Sequence, residues 1–353
     1  MKKSGTKENK KHGKRYCKTC GNLLQKRGKN RNGSQRWFCK NCKTSSTNHR
    51  PKQSIISQIE AFLDWALSKK TIKETASEIC RKTFYNRAQN ILAIEPKIPK
   101  TGEVYNCLLA DTTFIKERGL MILKTPEFVI DFGWSESENK EGYIDIFLGF
   151  TPPNFLVTDG NKAVESACKK VWKTTKIQRC LVHIDRFVRN HVGVRPTEPA
   201  KVSIWLLAKK LFKIDTLKKA KNWTLLFWQK YEKFKDIIEE KRPLLNPGKK
   251  THYDVYKRLH DAWHHVMSAL KKNQLFSFLE DKSTDECDKC PHDTNSLEGG
   301  INARVKELCR SHRGITSILE QRIVEWYLVT RSEHSVDAVI RDFLSQKPPH
   351  FYP

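Results

Sequence analysis

Two C-x2-C pairs constrain this chain more than any other feature. Cys17 and Cys20 form one; Cys39 and Cys42 form the other, eighteen residues further on. Four thiolates at that spacing suit one tetrahedral zinc. Gly28, Asn30, Asn32 and Gly33 read as a hairpin tip, and residues 35–38 as the returning strand. So few apolar residues surround them that metal binding should supply much of the folding free energy. Trp37 is either a core plug or a stacking surface. A disulfide framework is not expected. The cysteine count, eleven, is odd, and the Lys-rich start lacks the apolar stretch of a secretory leader. No apolar run reaches the ~18 residues of a membrane span.

The ribbon lies in a strongly charged region. Residues 1–53 hold 17 Lys/Arg against the single acid Glu8, while the whole chain carries a formal +27. A field of this kind attracts polyanions, and nucleic acid is the usual one. Arg15, Arg27, Arg31 and Arg36 are the candidate contacts within the ribbon. The domain reading follows the composition: a basic arm and zinc ribbon over 1–53, then a helical segment over 54–95. Ile55, Ile59, Phe62, Leu63 and Ala66 have helical spacing there. A helix over 71–79 capped by Thr71, then another over 81–92, suggest a helix-turn-helix. Lys82, Tyr85 and Arg87 would then face DNA. The turn lacks the usual glycine and is about two residues short, so a plain helical linker remains the alternative. Pro96, Pro99 and Gly102 mark a boundary.

Residues 104–110 form an apolar run ending in Asp111. Strands are expected over 120–123, 128–134, 155–158 and 177–181, and helices over 161–172 and 183–190. The sum is a mixed α/β sheet over 103–195. Asp159 follows the fourth strand. Ligands of α/β sheets bind at strand ends, although either aspartate alone reads as an ordinary turn former. Glu298 opens an otherwise helical stretch and precedes Gly299 and Gly300. Adjacent glycines let a backbone or ligand come close. Two Asp and one Glu, if they converge, suit a pair of hard divalent ions acting on phosphate.

Residues 196–290 read as an all-helical insertion, with Trp205, Trp223, Trp228 and Trp263 mostly in its core. Residues 291–345 would complete the catalytic core with the Glu-bearing helix and C-terminal helices. Cys180 and His183, taken with Cys287 and Cys290, supply three thiolates and an imidazole for a second zinc, and His292 competes as a ligand. That clip would fix Glu298 relative to Asp159. The alternative leaves Cys180 and His183 packed or hydrogen-bonded near the active site and Cys287 and Cys290 as loop thiols. Cys80, Cys107, Cys168 and Cys309 read as buried fillers. His312 and Arg313 either reach phosphate or cap a helix.

The segments A-D-T-T (110–113), V-T-D-G (157–160), C-L-V-H (180–183) and N-S-L-E-G-G-I-N-A (295–303), followed by H-R-G (312–314), carry a resemblance. Together with the leading ribbon they are similar to the prokaryotic relatives of Mutator-type DDE transposases, from the ribbon to about residue 330. The resemblance implies a ribonuclease-H-like core with Asp111, Asp159 and Glu298 as ligands of Mg2+ or Mn2+, beside the Zn2+ of the ribbon. It implies cleavage and strand transfer on terminal inverted repeats and target DNA. A homodimer or higher assembly in the cytoplasm, on the nucleoid if prokaryotic, is implied too. Many insertion-sequence transposases place a basic residue seven positions after the Glu. Here that position is Val305, between Arg304 and Lys306. A DNA-binding regulator derived from such an enzyme and a metal-dependent nuclease are the competing functions.

Overall fold

The computed structural model describes residues 15–17, 20–31, 33–47, 51–68, 70–75, 80–85, 94–243, 252–284 and 289–345, without the side chains of 51–58, 253, 343 and 344. The chain divides into two compact units, residues 1–59 and 60–351.

The first unit contains a three-stranded antiparallel sheet: β1 (Gln25–Lys29), β2 (Gln35–Phe38) and β3 (Ser45–Thr47), in that order. The expected returning strand is β2. Register shifts between Lys26 and Lys29, where Gly28 takes φ +68°. Only glycine adopts that conformation at little cost. Trp37 is buried, with Arg15 4.9 Å and Lys26 5.8 Å from its ring centroid. Helix α1 (Pro51–Leu67) follows, crossing from the first unit into the second at residue 60.

In the second unit, α2 (Ile72–Thr75) begins with a reciprocal cap. Glu74 accepts from the Thr71 backbone N–H at 2.6 Å, and Thr71 Oγ1 accepts from the Glu74 N–H at 3.3 Å. Residues 81–85 are helical. Residues 76–79 and 86–93, on which the helix-turn-helix expectation also rests, lie outside the described residues.

The central sheet has five strands: β4 (Cys107–Ile115), β5 (Arg118–Lys124), β6 (Val129–Ser135), β7 (Phe155–Thr158) and β8 (Lys176–Arg179). Their order is β6-β5-β4-β7-β8. The first three pair antiparallel, while β4–β7 and β7–β8 are parallel. Helices α3 (Lys140–Phe147) and α4 (Lys162–Val171) provide the connections that return the chain to parallel strands. They cover one face of the sheet, where Tyr143, Phe147, Val164, Ala167 and Trp172 pack on Leu108, Ala110, Met121 and Leu123. Strand side chains alternate between faces. Leu109, Asp111 and Thr113 therefore point the other way, and Asn302 meets Asp111 there.

One strand end differs from expectation. The first strand does not stop before Asp111. It runs on to Ile115 because β5 pairs with it as far as Arg118, with Asp111 opposite Ile122. Only the parallel neighbour stops early, and its last paired residues are Ala110 and Thr158.

Helix α5 (Leu181–Val192) leaves the sheet and joins a second core with α6 (Pro199–Lys210), α7 (Leu217–Ile238) and α8 (Lys257–Lys271). Leu181, Ile184 and Val188 pack there with Leu207, Trp223, Phe227 and Trp263. Trp205 and Trp228 flank that core, partly buried. The insertion is not all-helical. Strands β9 (Lys241–Pro243) and β10 (His252–Asp254) form an antiparallel hairpin between α7 and α8. Pro243 cannot continue a helix, and Asn246-Pro247-Gly248 is turn chemistry that the helical reading passed over.

A π-helical segment (Ser296–Asn302) leads into α9 (Ala303–Ser311), α10 (Ser317–Val329) and α11 (Val336–Ser345). Helix α10 is bonded to the strands: Trp134 Nε1 donates to Glu325 Oε1 at 3.0 Å, and Arg118 Nη1 to Gln321 Oε1 at 2.7 Å. Cys107 and Cys168 are buried as expected, but Cys80 is exposed and Cys309 half-buried. Cys80 lies between helical segments, with its thiol 3.2 Å from Thr83 Oγ1. No helix among the described residues is long and apolar enough to cross a membrane.

Candidate functional site

The four ribbon cysteines come together, with all four sulfurs within 4.8 Å of one another. Cys17 and Cys42 are 3.9 Å apart, and Cys20 and Cys39 are 3.5 Å apart. Sulfurs bound at about 2.3 Å around a tetrahedral zinc stand roughly 3.8 Å apart, so this four-cysteine group could bind zinc. The two halves share a local design. Cys17 N–H donates to Asn22 O at 2.7 Å, and Cys39 N–H to Thr44 O at 2.9 Å. The residue after each second cysteine, Gly21 or Lys43, has positive φ.

Arg27, Arg31 and Arg36 are all exposed, and Arg27 lies over the Phe38 ring at 4.4 Å. In the second unit Lys82 is exposed and Tyr85 packs edge-on against Trp65. Arg87 lies outside the described residues. Arg304 and His312 have internal partners: Arg304 Nη2 donates to Leu67 O at 2.8 Å, and His312 Nε2 lies 2.7 Å from Ala66 O. Both hold carbonyls at the end of α1, where cationic and donor groups are favoured. Lys306 and Arg313 remain exposed, and Val305 is fully buried.

Asp111 and Asp159 occupy the next aligned positions after the pair Ala110–Thr158. Asp111 is 8 % exposed, and its carboxyl is pushed up to about 7. Burial is the main cause, and the negative charges of Asp159 and Glu298 add to it. Asn302 opposes the shift by donating from Nδ2 to Asp111 Oδ2 at 2.8 Å. Asp159 Oδ1 accepts from the Asn161 N–H at 2.8 Å. Beside it Gly160 has φ +91°, and a Cβ there would lie 2.1 Å from Arg179 Nε. The buried Arg179 guanidinium occupies that space, which accounts for the glycine.

Glu298 is held from three directions. Arg186 Nη1 donates to Oε2 at 2.8 Å, while His183 Nε2 stands 3.2 Å and Thr294 Oγ1 3.3 Å from Oε1. The Cys180 thiol accepts from the Thr294 N–H at 3.3 Å, and the Leu181 N–H donates to His292 O at 3.0 Å. Thr294 O in turn accepts from the N–H groups of Leu297 and Glu298. The C-x2-H element thus joins Glu298 to the end of β8 through hydrogen bonds. Cys180, His183 and Glu298 offer ligand atoms within 4.8 Å of one another, and among the described residues Cys290 is in no such group. Its thiol faces Pro291 O at 3.6 Å. Cys287, the other member of the expected second zinc set, lies outside the described residues.

The π-helix is a rare form that is frequent at functional sites. Gly299 and Gly300 are exposed within it, and a Cβ at either would meet nothing within 4 Å. Packing therefore does not require the glycines, which present bare backbone beside Glu298.

Two residues at the centre carry no separate expectation from sequence. Asn302 sits inside the N-S-L-E-G-G-I-N-A motif, one helical turn beyond Glu298, and that spacing was a usable signal. Glu138 comes from the loop after β6, which has no motif. Its carboxyl is raised by burial and by Asp159, and Tyr143 Oη donates to it at 3.4 Å.

Asp111, Asp159 and Glu298 do not form a single-ion cage, because no group within 4.8 Å contains all three. They are oxygen donors from three segments, close enough for Asp159 and Glu298 to raise the Asp111 carboxyl. Mg2+ usually takes one or two carboxylates and completes its shell with water and phosphate oxygens, so this donor set fits it.

No curated protein matches the chain. The sequence model described as "Transposase, Mutator family" matches residues 148–269, a span that includes Asp159, Cys180 and His183 but neither Asp111 nor Glu298, and this match supports a Mutator-like transposase.

Proposed function

We propose that the chain is a DDE-type DNA transposase with a ribonuclease-H-like core. The observation that carries this reading is the convergence of three acids from separate segments: Asp111 and Asp159 follow the last aligned pair of β4 and β7, and Glu298 lies close enough for its charge to act on Asp111. Acids brought this close repel one another unless a cation lies between them. The sheet order, with the carboxylates where β4 and β7 part, and the Mutator-family match support the same reading.

Asp111, Asp159 and Glu298 would hold two Mg2+ or Mn2+ ions. Such ions, when bound, stabilise charge on the attacking and leaving oxygens of an in-line displacement at phosphorus. Asn302 fixes the Asp111 carboxylate. Arg186, His183 and Thr294 fix Glu298, and Cys180 fixes Thr294. The reaction begins with water attacking a phosphodiester at the element end. The freed 3′-hydroxyl then attacks a second phosphodiester in target DNA, so no covalent protein–DNA intermediate forms. The zinc ribbon, with Arg15, Arg27, Arg31 and Arg36, captures DNA, and Lys82, Tyr85, Arg87, Lys306 and Arg313 add contacts in the second unit. Arg304 and His312 support that surface by holding the end of α1. Joining two ends requires a dimer or larger assembly.

The test is an incubation with labelled terminal-repeat DNA, target plasmid and Mg2+. Joined products are expected, and Asp159→Ala should abolish both cutting and joining while leaving binding intact. Cuts without joining would make the protein a nuclease, and binding alone a regulator. Cutting that survives Asp159→Ala would overturn the assignment of the site.

A further inference from the structure

A second group of metal-type donors lies in the insertion, at the base of the β9–β10 hairpin. Glu239 follows the last residue of α7, and His260 and His264 lie one turn apart on α8. Their ligand atoms all fall within 4.8 Å of one another. His264 Nε2 is 2.6 Å from Glu239 Oε1, and His260 Nε2 is 3.8 Å from Glu239 Oε2. Both imidazoles thus present the same ring nitrogen to one carboxylate. Donors on a tetrahedral zinc stand roughly 3.3 Å apart, so with Glu239 binding through Oε1 the His264 gap must open by less than about an ångström, while His260 already lies within reach of the same group.

The surroundings also match a metal site. The other nitrogen of His260, Nδ1, lies 3.5 Å from Asp261 Oδ1 and 4.0 Å from Asp254 Oδ2. A ligating histidine commonly gives its second ring N–H to a carboxylate, which fixes the tautomer and makes the ligand more basic. Tyr231 Oη donates to Glu239 Oε1 at 2.7 Å and orients it. An ordinary ion pair needs one histidine; here two are aimed at one carboxylate, with further acids behind them.

We propose that Glu239, His260 and His264 bind a zinc-type divalent ion that clips the end of α7 to α8. Imidazole nitrogens with one carboxylate suit zinc and related transition ions better than Mg2+ or Ca2+. Three protein ligands leave a fourth position for water. Glu239 precedes β9 by two residues and Asp254 ends β10, so the ion ties together both roots of the hairpin. The proposal is independent of the transposase reading.

The test is zinc content of the purified full-length chain by mass spectrometry, with folding followed by circular dichroism. His264→Ala and Glu239→Gln should each lose one equivalent relative to the unsubstituted chain. Cys39→Ser should lose a different one, so that His264→Ala with Cys39→Ser falls below either alone. His183→Ala should leave this equivalent in place. After cobalt exchange, His264→Ala should keep the thiolate charge-transfer bands of the ribbon and lose only the weaker ligand-field bands. Glu239→Gln preserves the side chain's shape and serves if His264→Ala misfolds. Unchanged zinc in folded His264→Ala or Glu239→Gln overturns the proposal. So does a chain whose only zinc is the one removed by Cys39→Ser.

Discussion

Asn302 donates to Asp111 at 2.8 Å and so connects the π-helix to the middle of β4. This bond favours the charged carboxylate and partly offsets the rise imposed by burial and by Asp159 and Glu298. Its loss should raise the carboxyl further. A raised acid stays protonated to higher pH, and a proton on Asp111 competes with Mg2+. With Mg2+ below saturation, metal-dependent cleavage should therefore weaken as pH falls through about 7 in the unsubstituted chain. In Asn302→Ala the acid limb should move to higher pH, with the plateau rate about 10- to 100-fold lower. A pH–rate profile checks both. An unchanged limb would mean that Asn302 does not tune Asp111.

The bonds from Thr294 to Cys180 and toward Glu298 give a second prediction. Thr294→Val keeps the shape but removes the hydroxyl, and should lower cleavage about tenfold without a loss of DNA affinity. Cys180→Ser keeps a polar acceptor and should fall less than Cys180→Ala. If the two Cys180 variants lose the same activity, the thiol is filling space and not orienting Thr294.

The ribbon should behave as a unit that needs its metal. Cys39→Ser, or a strong chelator, should remove the three-stranded sheet of residues 25–47 and leave the central sheet folded. DNA affinity should fall, and the slope of log affinity against log salt should become shallower as phosphate contacts are lost, each worth about 0.9 in slope on duplex DNA. Hydrogen exchange locates the loss, and salt titrations measure it. An equal slope with and without the ribbon would place the phosphate contacts in the second unit.

His265 predicts acid sensitivity. Burial, then the positive charge of Arg179 and the neighbouring His191 and His183, hold its titration down at about 3. Arg179 Nη2 lies 3.3 Å from His265 Nε2, which suits a neutral ring that accepts. The unfolded chain takes up this proton near the ordinary value of about 6.5. The folded chain resists it, so the stability held by the neutral ring is complete above about 6.5 and lost as pH falls toward 3. The slope approaches about 1.4 kcal/mol per pH unit for one proton. His265→Gln should flatten this limb in urea unfolding at pH 5 and pH 7. An equal pH 5 to pH 7 difference in the variant would remove His265 as the cause.

The cysteine pairs and the strand β2 were legible because C-x2-C spacing and turn residues act locally. The strands of the central sheet were legible for the same reason, being short apolar runs between turn signals. The extension of β4 past Asp111 was not, because it depends on pairing with β5, and a polar D-T-T looks like a strand end until that partner is known. The hairpin after α7 was missed because Lys- and Trp-rich helices on either side dominated the pattern. The sequence left two readings of Cys180 and His183 open, a metal clip and hydrogen bonding near the carboxylates; the described residues join Cys180 to Glu298 through Thr294, and His183 to it directly. Spacing identifies donor atoms, but it does not say whether an ion or a hydrogen bond joins them.

The contacts of Arg304 and His312 with Leu67 and Ala66 join segments more than two hundred residues apart in sequence. One partner is the last turn of α1, and the other is the helix that continues directly from the Glu298 π-helix. These bonds make a mechanical coupling. A displacement at the end of α1 would reach the backbone that carries the acid through these two bonds and one continuous helix.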